Sequence, residues 1–335
     1  MTKLIHQTDI FHPHCDPDDH WDLATVFALA KCNALELAGI VCDNPATSGH
    51  GDPAVIAATQ LAYITGIVGT PFVIGSKHKL RDKKDDQSDR DPKDSAAARW
   101  LCKTLEQTNE KIAITSVGSS VDIALAGVMR PDLFRNKVKA LYLNSGSACP
   151  GEKNQKEYNV ERNPAAYASL FDLECPIYWC PCLHTAGILE QGEFGAWYPF
   201  KQGDILVQIS KALRNYFYYM LDQMKDPLYL RYLDTDIALD NVLHFWEATR
   251  YMFSTASIFH AGGMIADIDK GLVKISESEN PVFEFLPIDV SCDDDGATTW
   301  SRTDKDTNRY LFRMRDKALY PKVMSSALAQ LLVSI

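Results

Sequence analysis

The chain has 335 residues, 46% of them hydrophobic, and a formal net charge of −10. That is enough apolar material for one large core, so a single domain over residues 1–335 is expected. Lys and Arg are scattered rather than striped, and without a basic field neither nucleic acid nor an anionic membrane surface is an expected partner.

The N-terminal MTKLIHQTDIF lacks the long apolar segment of a signal peptide, and no run of about 18 apolar residues predicts a membrane span, so a cytoplasmic protein is expected. LIHQTDIF reads as a strand. DDHWDLATVFALAK follows as a helix with apolar spacing at Leu23, Val26, Phe27 and Ala30. The strand-like runs ELAGIVCDN, PFVIGS, KIAITSVG, VKALYLNSG and PIYWCPC then alternate with helical stretches over 53–65, 95–109, 119–128 and 164–172. Such alternation predicts right-handed βαβ crossovers and an α/β fold, a mostly parallel sheet with helices on both faces. Between them KHKLRDKKDDQSDRDPKDS, 77–95, is so densely charged that it predicts an exposed loop, one that could serve as a lid over the sheet's rim. Beyond residue 200 the pattern is helical over 202–224 and 239–262. The chain closes with a strand pair, PVFEFLPIDV and NRYLFRM, and the helix YPKVMSSALAQLLVSI. Neither a P-loop nor GxGxxG occurs, which argues against nucleoside triphosphate and dinucleotide binding.

Nine cysteines are spread along the chain without a secretory signal, so reduced, mostly buried thiols are expected. In CPIYWCPCLH, the cluster of Cys175, Cys180, Cys182 and His184 departs from the paired spacing of zinc modules and coincides with a strand.

Between Thr8 and Ala24, TDIFHPHCDPDDHWDLA gathers Asp9, Asp16, Asp18, Asp19 and Asp22. A helix N-terminus favours any one Asp, but five repel one another unless a cation or water relieves them. Asp9 ends a strand and Asp18 with Asp19 opens the next helix, which places three carboxylates at the rim where such sheets bind ligands. Hard oxygen donors without His or Cys fit calcium or magnesium, and a hydrated cation beside carboxylates points to metal-assisted hydrolysis.

The stretch QTDIFHPHCDPDDHWDLATVFAL resembles an extended form of DTDxGxDDAxAL, the signature of the calcium-dependent nucleoside hydrolases called inosine-uridine preferring. Gln7 stands for the first aspartate, and extra residues precede the DD pair. VCDNP is similar to the strand end whose Asn contacts the sugar, GSSVDIALA to GPLTNxA, and LNSG followed by EYN to MGG followed by EFN. The resemblance runs from residue 4 to about 330. It implies a Rossmann-like nucleoside hydrolase fold with a helical C-terminal part, a small-molecule nucleoside or riboside substrate, a homo-oligomer, and Ca2+ as cofactor. It implies Asp9 and Asp19 as side-chain ligands of calcium, the Val117 carbonyl as a further ligand and Asp18 as general base. Asn44, Asn144, Glu157 and Asn159 are implied as substrate-binding residues. The family's late aspartate ligand falls on Ser254, so Asp16 of the inserted segment, or less readily Glu247, is expected to substitute. His244, Trp246, Arg250 and Trp179 are the candidates for handling the leaving base.

A non-catalytic ribose-binding protein that has lost part of the metal site is the alternative from another class. A phosphoesterase of the haloacid dehalogenase type is a third reading, disfavoured because DPDDH lacks the Thr or Val of the DxDx[TV] nucleophile motif.

Overall fold

The computed structural model describes residues 1–14, 16–48, 51–151, 156–187, 189–190 and 192–335. Its apolar runs become the middle of one nine-stranded sheet. The strands are β1 (Thr2–Thr8), β2 (Leu35–Cys42), β3 (Phe72–Ile74), β4 (Ile112–Ser116), β5 (Val138–Leu143), β6 (Ile177–Trp179), β7 (Phe283–Cys292), β8 (Thr298–Arg302) and β9 (Arg309–Met314). Across the sheet they run β8-β7-β9-β6-β5-β4-β1-β2-β3. β1 to β6 and β9 are parallel, and β7 joins β8 and β9 antiparallel at one edge. A parallel sheet buried on both faces needs no polar alternation, and every residue of β4 is buried.

One apolar layer packs under the helices Asp18–Lys31, Val55–Thr65, Lys211–Leu221 and Tyr320–Leu332. The other packs under Ala96–Gln107, Val121–Met129 and Pro164–Leu170. Among the described residues no helix is long and apolar enough to cross a membrane. No disulfide joins two of the described cysteines, and Cys15 lies outside the described residues.

The C-terminal half departs from the sequence pattern. The stretch 202–224 is broken into the helices Gln202–Leu206 and Lys211–Leu221, with Ser210 capping the second by accepting from the Leu213 amide. Within 239–262, TRYM is a strand, Thr249–Met252, paired antiparallel with Tyr198–Lys201. It separates the helices Leu239–Glu247 and Thr255–Ala261. Apolar residues at close spacing fit either period, and here the partner strand decides. The hairpin Met264–Asp267/Gly271–Lys274 and the strand β8 carried no clear signal.

The charged segment 77–95 is more firmly held than an open lid. Arg81 grips Asp85 and Asp89 with its guanidinium, Leu80, Asp85 and Gln87 are buried, and the Leu80 carbonyl accepts from Asn163. Its charges satisfy one another locally, which lets so polar a segment pack.

Candidate active site

The helix Asp18–Lys31 is buried from Asp18 to Ala30, because Val55–Thr65, Thr255–Ala261 and Tyr320–Leu332 surround it. Trp21 anchors it, stacked 3.8 Å from Phe217 and edge-on to Phe200. Full enclosure carries the acidic residues of its first turns inside with it. Asp18, Asp19 and Asp22 are 7%, 4% and 0% exposed.

Asp9, just past β1, is buried nearby. Burial pushes its carboxyl well above the usual range, Asp43 and Asp16 add to this, and Arg162 opposes it. Burial likewise raises Asp18, with Asp16 and Asp22 contributing and Arg250 opposing. It raises Asp19 together with the charges of Asp9, Asp16 and Asp18. One oxygen of Asp19 accepts from Thr8 Oγ1 at 3.1 Å, and the other, Oδ2, is buried without a partner. The acidic residues of the first strand-to-helix connection thus share one electrostatic environment.

Gln7 binds the rim together. Its amide donates to Asp43 at 2.5 Å, and its carbonyl oxygen accepts from Ser116 Oγ at 2.7 Å and the Gly118 amide at 3.4 Å. A carboxylate at position 7 would face Asp43 across that contact, so an amide, which both donates and accepts, suits it. Gly118 is needed for close approach: a Cβ there would lie 2.7 Å from Gln7 Nε2 and 2.9 Å from the Asp9 amide nitrogen.

The inserted segment is pinned to the helix Lys211–Leu221. His12 Nε2 donates to the Met224 carbonyl at 2.7 Å and His14 Nε2 to the Leu221 carbonyl at 3.2 Å, while the His12 ring stacks on Tyr219. Asp16 leaves this pinned stretch to face the cavity.

A cavity of about 560 Å³ opens at this rim, lined by Asp16, Asp18, Asp19, Val117, Glu157, Asn159 and Ser254 among others. Glu157 caps the helix Tyr158–Arg162, its carboxylate accepting from the amides of Gly146 (2.6 Å) and Asn159 (2.9 Å), and burial pushes it up to about 7. The Asn159 side chain lies 3.5 Å from the Val117 carbonyl oxygen.

Two sequence-predicted sugar contacts do not line this cavity. The Asn44 amide donates to the Gly75 carbonyl and its oxygen accepts from the Ala46 amide, closing a local turn. Asn144 donates to the carbonyls of Cys180 and Phe253 and accepts from Ser257, bracing β5 against the segment ahead of the helix Thr255–Ala261. Both amides are consumed by backbone groups whose burial the sequence does not reveal. Asp9 is buried and is not among the residues that line the cavity.

Of the residues considered for the leaving base, Trp179 is core, donating to the Ser145 carbonyl, and Trp246 donates to Tyr218. His244 is exposed, its ring tilted by 40° against that of Phe245. Arg250 faces Asp18 and Asp16 electrostatically, its Nε donating to Gln202. Glu247 is exposed and outside the wall. Cys182, Leu183, Tyr158 and Phe253 also line it. Tyr158 is the central residue of EYN and Cys182 belongs to the cysteine cluster, whereas no motif marked Leu183 or Phe253.

The oxygens present suit a hard cation: Asp19 Oδ2 is orphaned, and Asp9, Asp18 and Asp19 are raised by burial and by their neighbours, a strain that positive charge relieves. Among the described residues, however, no three His, Cys, Asp or Glu side chains converge as ligands of one ion. The set that fits therefore combines carboxylates with neutral oxygens, in keeping with the implied use of the Val117 carbonyl and Ser254 beside Asp9, Asp16 and Asp19.

No curated protein matches the chain in sequence. Solved structures share its fold. A plant nucleoside hydrolase, the PpNRh1 enzyme, superposes with a TM-score of 0.61 at 16% identity, covering 98% of this chain and 99% of that one. An inosine-uridine preferring nucleoside hydrolase from Bacillus anthracis gives 0.53 at 15% identity over 100% of both chains. A purine-preferring ribonucleoside hydrolase from Gardnerella vaginalis gives 0.52 at 15%, covering 99% of each. The sequence model of the inosine-uridine preferring nucleoside hydrolases matches residues 13–314. A match of that extent settles kinship: the chain belongs to this family of hydrolases that act on N-glycosyl compounds.

Proposed function

We propose that the protein hydrolyses the N-glycosidic bond of a ribonucleoside or a related N-riboside, with Asp18 as general base and calcium as cofactor. The observation that supports this most is the single cavity whose wall contains Asp18, Asp19, Val117, Glu157, Asn159 and Ser254, side by side. The ion would be held by Asp9, Asp19 and the Val117 carbonyl, with Ser254 and Asp16 at its border. When bound, calcium orients the ribose hydroxyls and makes a coordinated water more acidic.

The chain's own groups carry the rest. Asp18, raised by burial, is a stronger base than an exposed carboxylate and takes the proton of the attacking water. The water oxygen joins C1′, the bond from C1′ to the base nitrogen breaks with its electron pair going to the nitrogen, and the departing base takes up a proton from solvent. Positive charge grows on the sugar as that bond opens, and the carboxylates around it stabilise the change. Glu157 and Asn159 grip the sugar hydroxyls, positioned by the Gly146 and Asn159 amides. Walls with Tyr158 and Phe253 give the base an apolar surface to rest on.

Incubation with inosine, uridine and other ribonucleosides, followed by reducing-sugar detection with calcium or with a chelator, tests this reading. Calcium-dependent release of ribose is expected. Binding of ribosides with no release under either condition would point instead to a non-catalytic binding protein.

A further inference from the structure

Two departures from the family signature face each other across the cavity wall. In DTDxGxDDAxAL the third residue after the DD pair is a small Ala, whereas this chain has Asp22 there. Where the family carries its late aspartate, this chain has Ser254. A carboxylate has been lost at one position and gained at another. The fold makes these positions neighbours: Ser254 lines the cavity at the start of the helix Thr255–Ala261, and Asp22 lies beside it on the buried helix Asp18–Lys31.

Asp22 is otherwise unexplained. It is 0% exposed, and neither oxygen of its carboxylate makes a hydrogen bond. A wholly buried carboxylate without a partner is costly and calls for a cation or a donor. Three and four residues past Asp19 and Asp18, it stands one helical turn behind both, on the side they share. Its charge acts on each of them. Burial raises it to about 7, and the Ser254 hydroxyl is close enough to oppose that shift without completing a hydrogen bond.

We propose that Asp22 compensates for the missing late aspartate: its charge, delivered from behind Ser254, sets the affinity of the cavity for its cation. This rests on the calcium-dependent reading above. An ion at the cavity wall is drawn by the carboxylate that now sits in the second layer, while Ser254 presents a neutral oxygen in the first. Arg250 and Arg162, which bear on Asp18 and Asp9, offset part of the acidic charge, so the site depends on each remaining carboxylate.

The test is calcium binding to the intact chain, read by calorimetry and by the calcium-induced rise in unfolding temperature, without reference to activity. Asp22→Ala is expected to weaken calcium binding by about tenfold or more. In chelator it should unfold at the same or a higher temperature than the parent, because an unpartnered buried carboxylate is removed. Asp22→Ala combined with Ser254→Asp moves the carboxylate back to the family position and is expected to regain most of the lost affinity. Unchanged affinity in Asp22→Ala, or no recovery in the double variant although it folds, overturns the proposal. If the parent chain itself shows no calcium response, the calcium reading fails, and this inference with it; a normal parent response with an indifferent Asp22 sinks this inference alone.

Discussion

Asp18 and Asn144 illustrate how differently two buried polar residues at one rim are used. Asp18 lines the cavity, where the proposed function makes it the base that takes a proton from water. Replacement by Asn keeps the shape and removes the base, so kcat/KM for nucleoside hydrolysis is expected to fall roughly 10²- to 10⁴-fold with substrate binding retained. Asn144 spends its amide on two carbonyls and a hydroxyl. Its replacement by Ala should cost about 1–3 kcal/mol of stability, measured by denaturant unfolding, while KM stays close to the parent value. A large rise in KM without loss of stability would instead return Asn144 to the sugar site. Gly118→Ala is the steric counterpart: a Cβ there presses on Gln7, Asp43 and Asp9 at once, and a destabilisation of about 1–3 kcal/mol is expected.

At the scale of elements, the inserted segment and the helix Lys211–Leu221 act as one unit. Four intrahelical carbonyls are left over at a helix C-terminus; the imidazole of His14 satisfies one of them, at Leu221, and that of His12 holds the Met224 carbonyl just beyond the helix. Both rings keep a buried Nδ1 without a partner, so the pin is geometric rather than a dense network. His14→Ala should cost only about 1 kcal/mol globally yet free the segment that holds Asp16. Limited proteolysis is expected to cut near residues 12–17 in this variant before it cuts the parent; identical cleavage patterns would show that the pin does not restrain the segment. The helix Asp18–Lys31 teaches the same lesson from inside. Its apolar spacing predicted one buried face, and packing on all sides buried the acidic face too.

For the whole molecule, buried carboxyls make stability depend on pH in a direction opposite to the usual acidic protein. Asp22, Asp122 and Glu157 are each raised by burial to about 7, from ordinary values of 3.8, 3.8 and 4.5. The folded state therefore holds protons that the unfolded chain has already released between those values and about 7. This contribution is fully present below the unfolded values and is lost as pH rises through about 7. Burial lowers His6, His14, His20 and His260, which opposes this trend below the ordinary imidazole range, but Asp9, Asp18, Asp19 and Asp43 are raised as well and the carboxyls outnumber the imidazoles. Thermal unfolding in chelator should therefore give a lower Tm at pH 8 than at pH 5.5, by several degrees, which at this chain length corresponds to roughly 1–3 kcal/mol. Calcium is expected to narrow that gap at pH 8, because it favours the ionised carboxylates. A Tm that rises with pH in chelator would contradict the sign.

The alternation of the main strands and helices through residue 172, the parallel sheet, and the acidic rim after β1 were legible in the sequence, because local periodicity and strand-end chemistry are written in neighbouring residues; the short helices Pro131–Lys137 and Tyr158–Arg162 were not. Asp18, Asp19, Glu157 and Asn159 could be singled out for the same reason: each sits in a short motif. Tertiary structure alone decided that Asn44 and Asn144 serve buried backbone, that TRYM pairs as a strand, that the charged 77–95 segment closes on itself, and that Asp22 comes to rest beside Ser254. These depend on partners as many as 232 residues away along the chain. Local pattern fixes what a segment can become, whereas packing determines which polar groups are left facing one another.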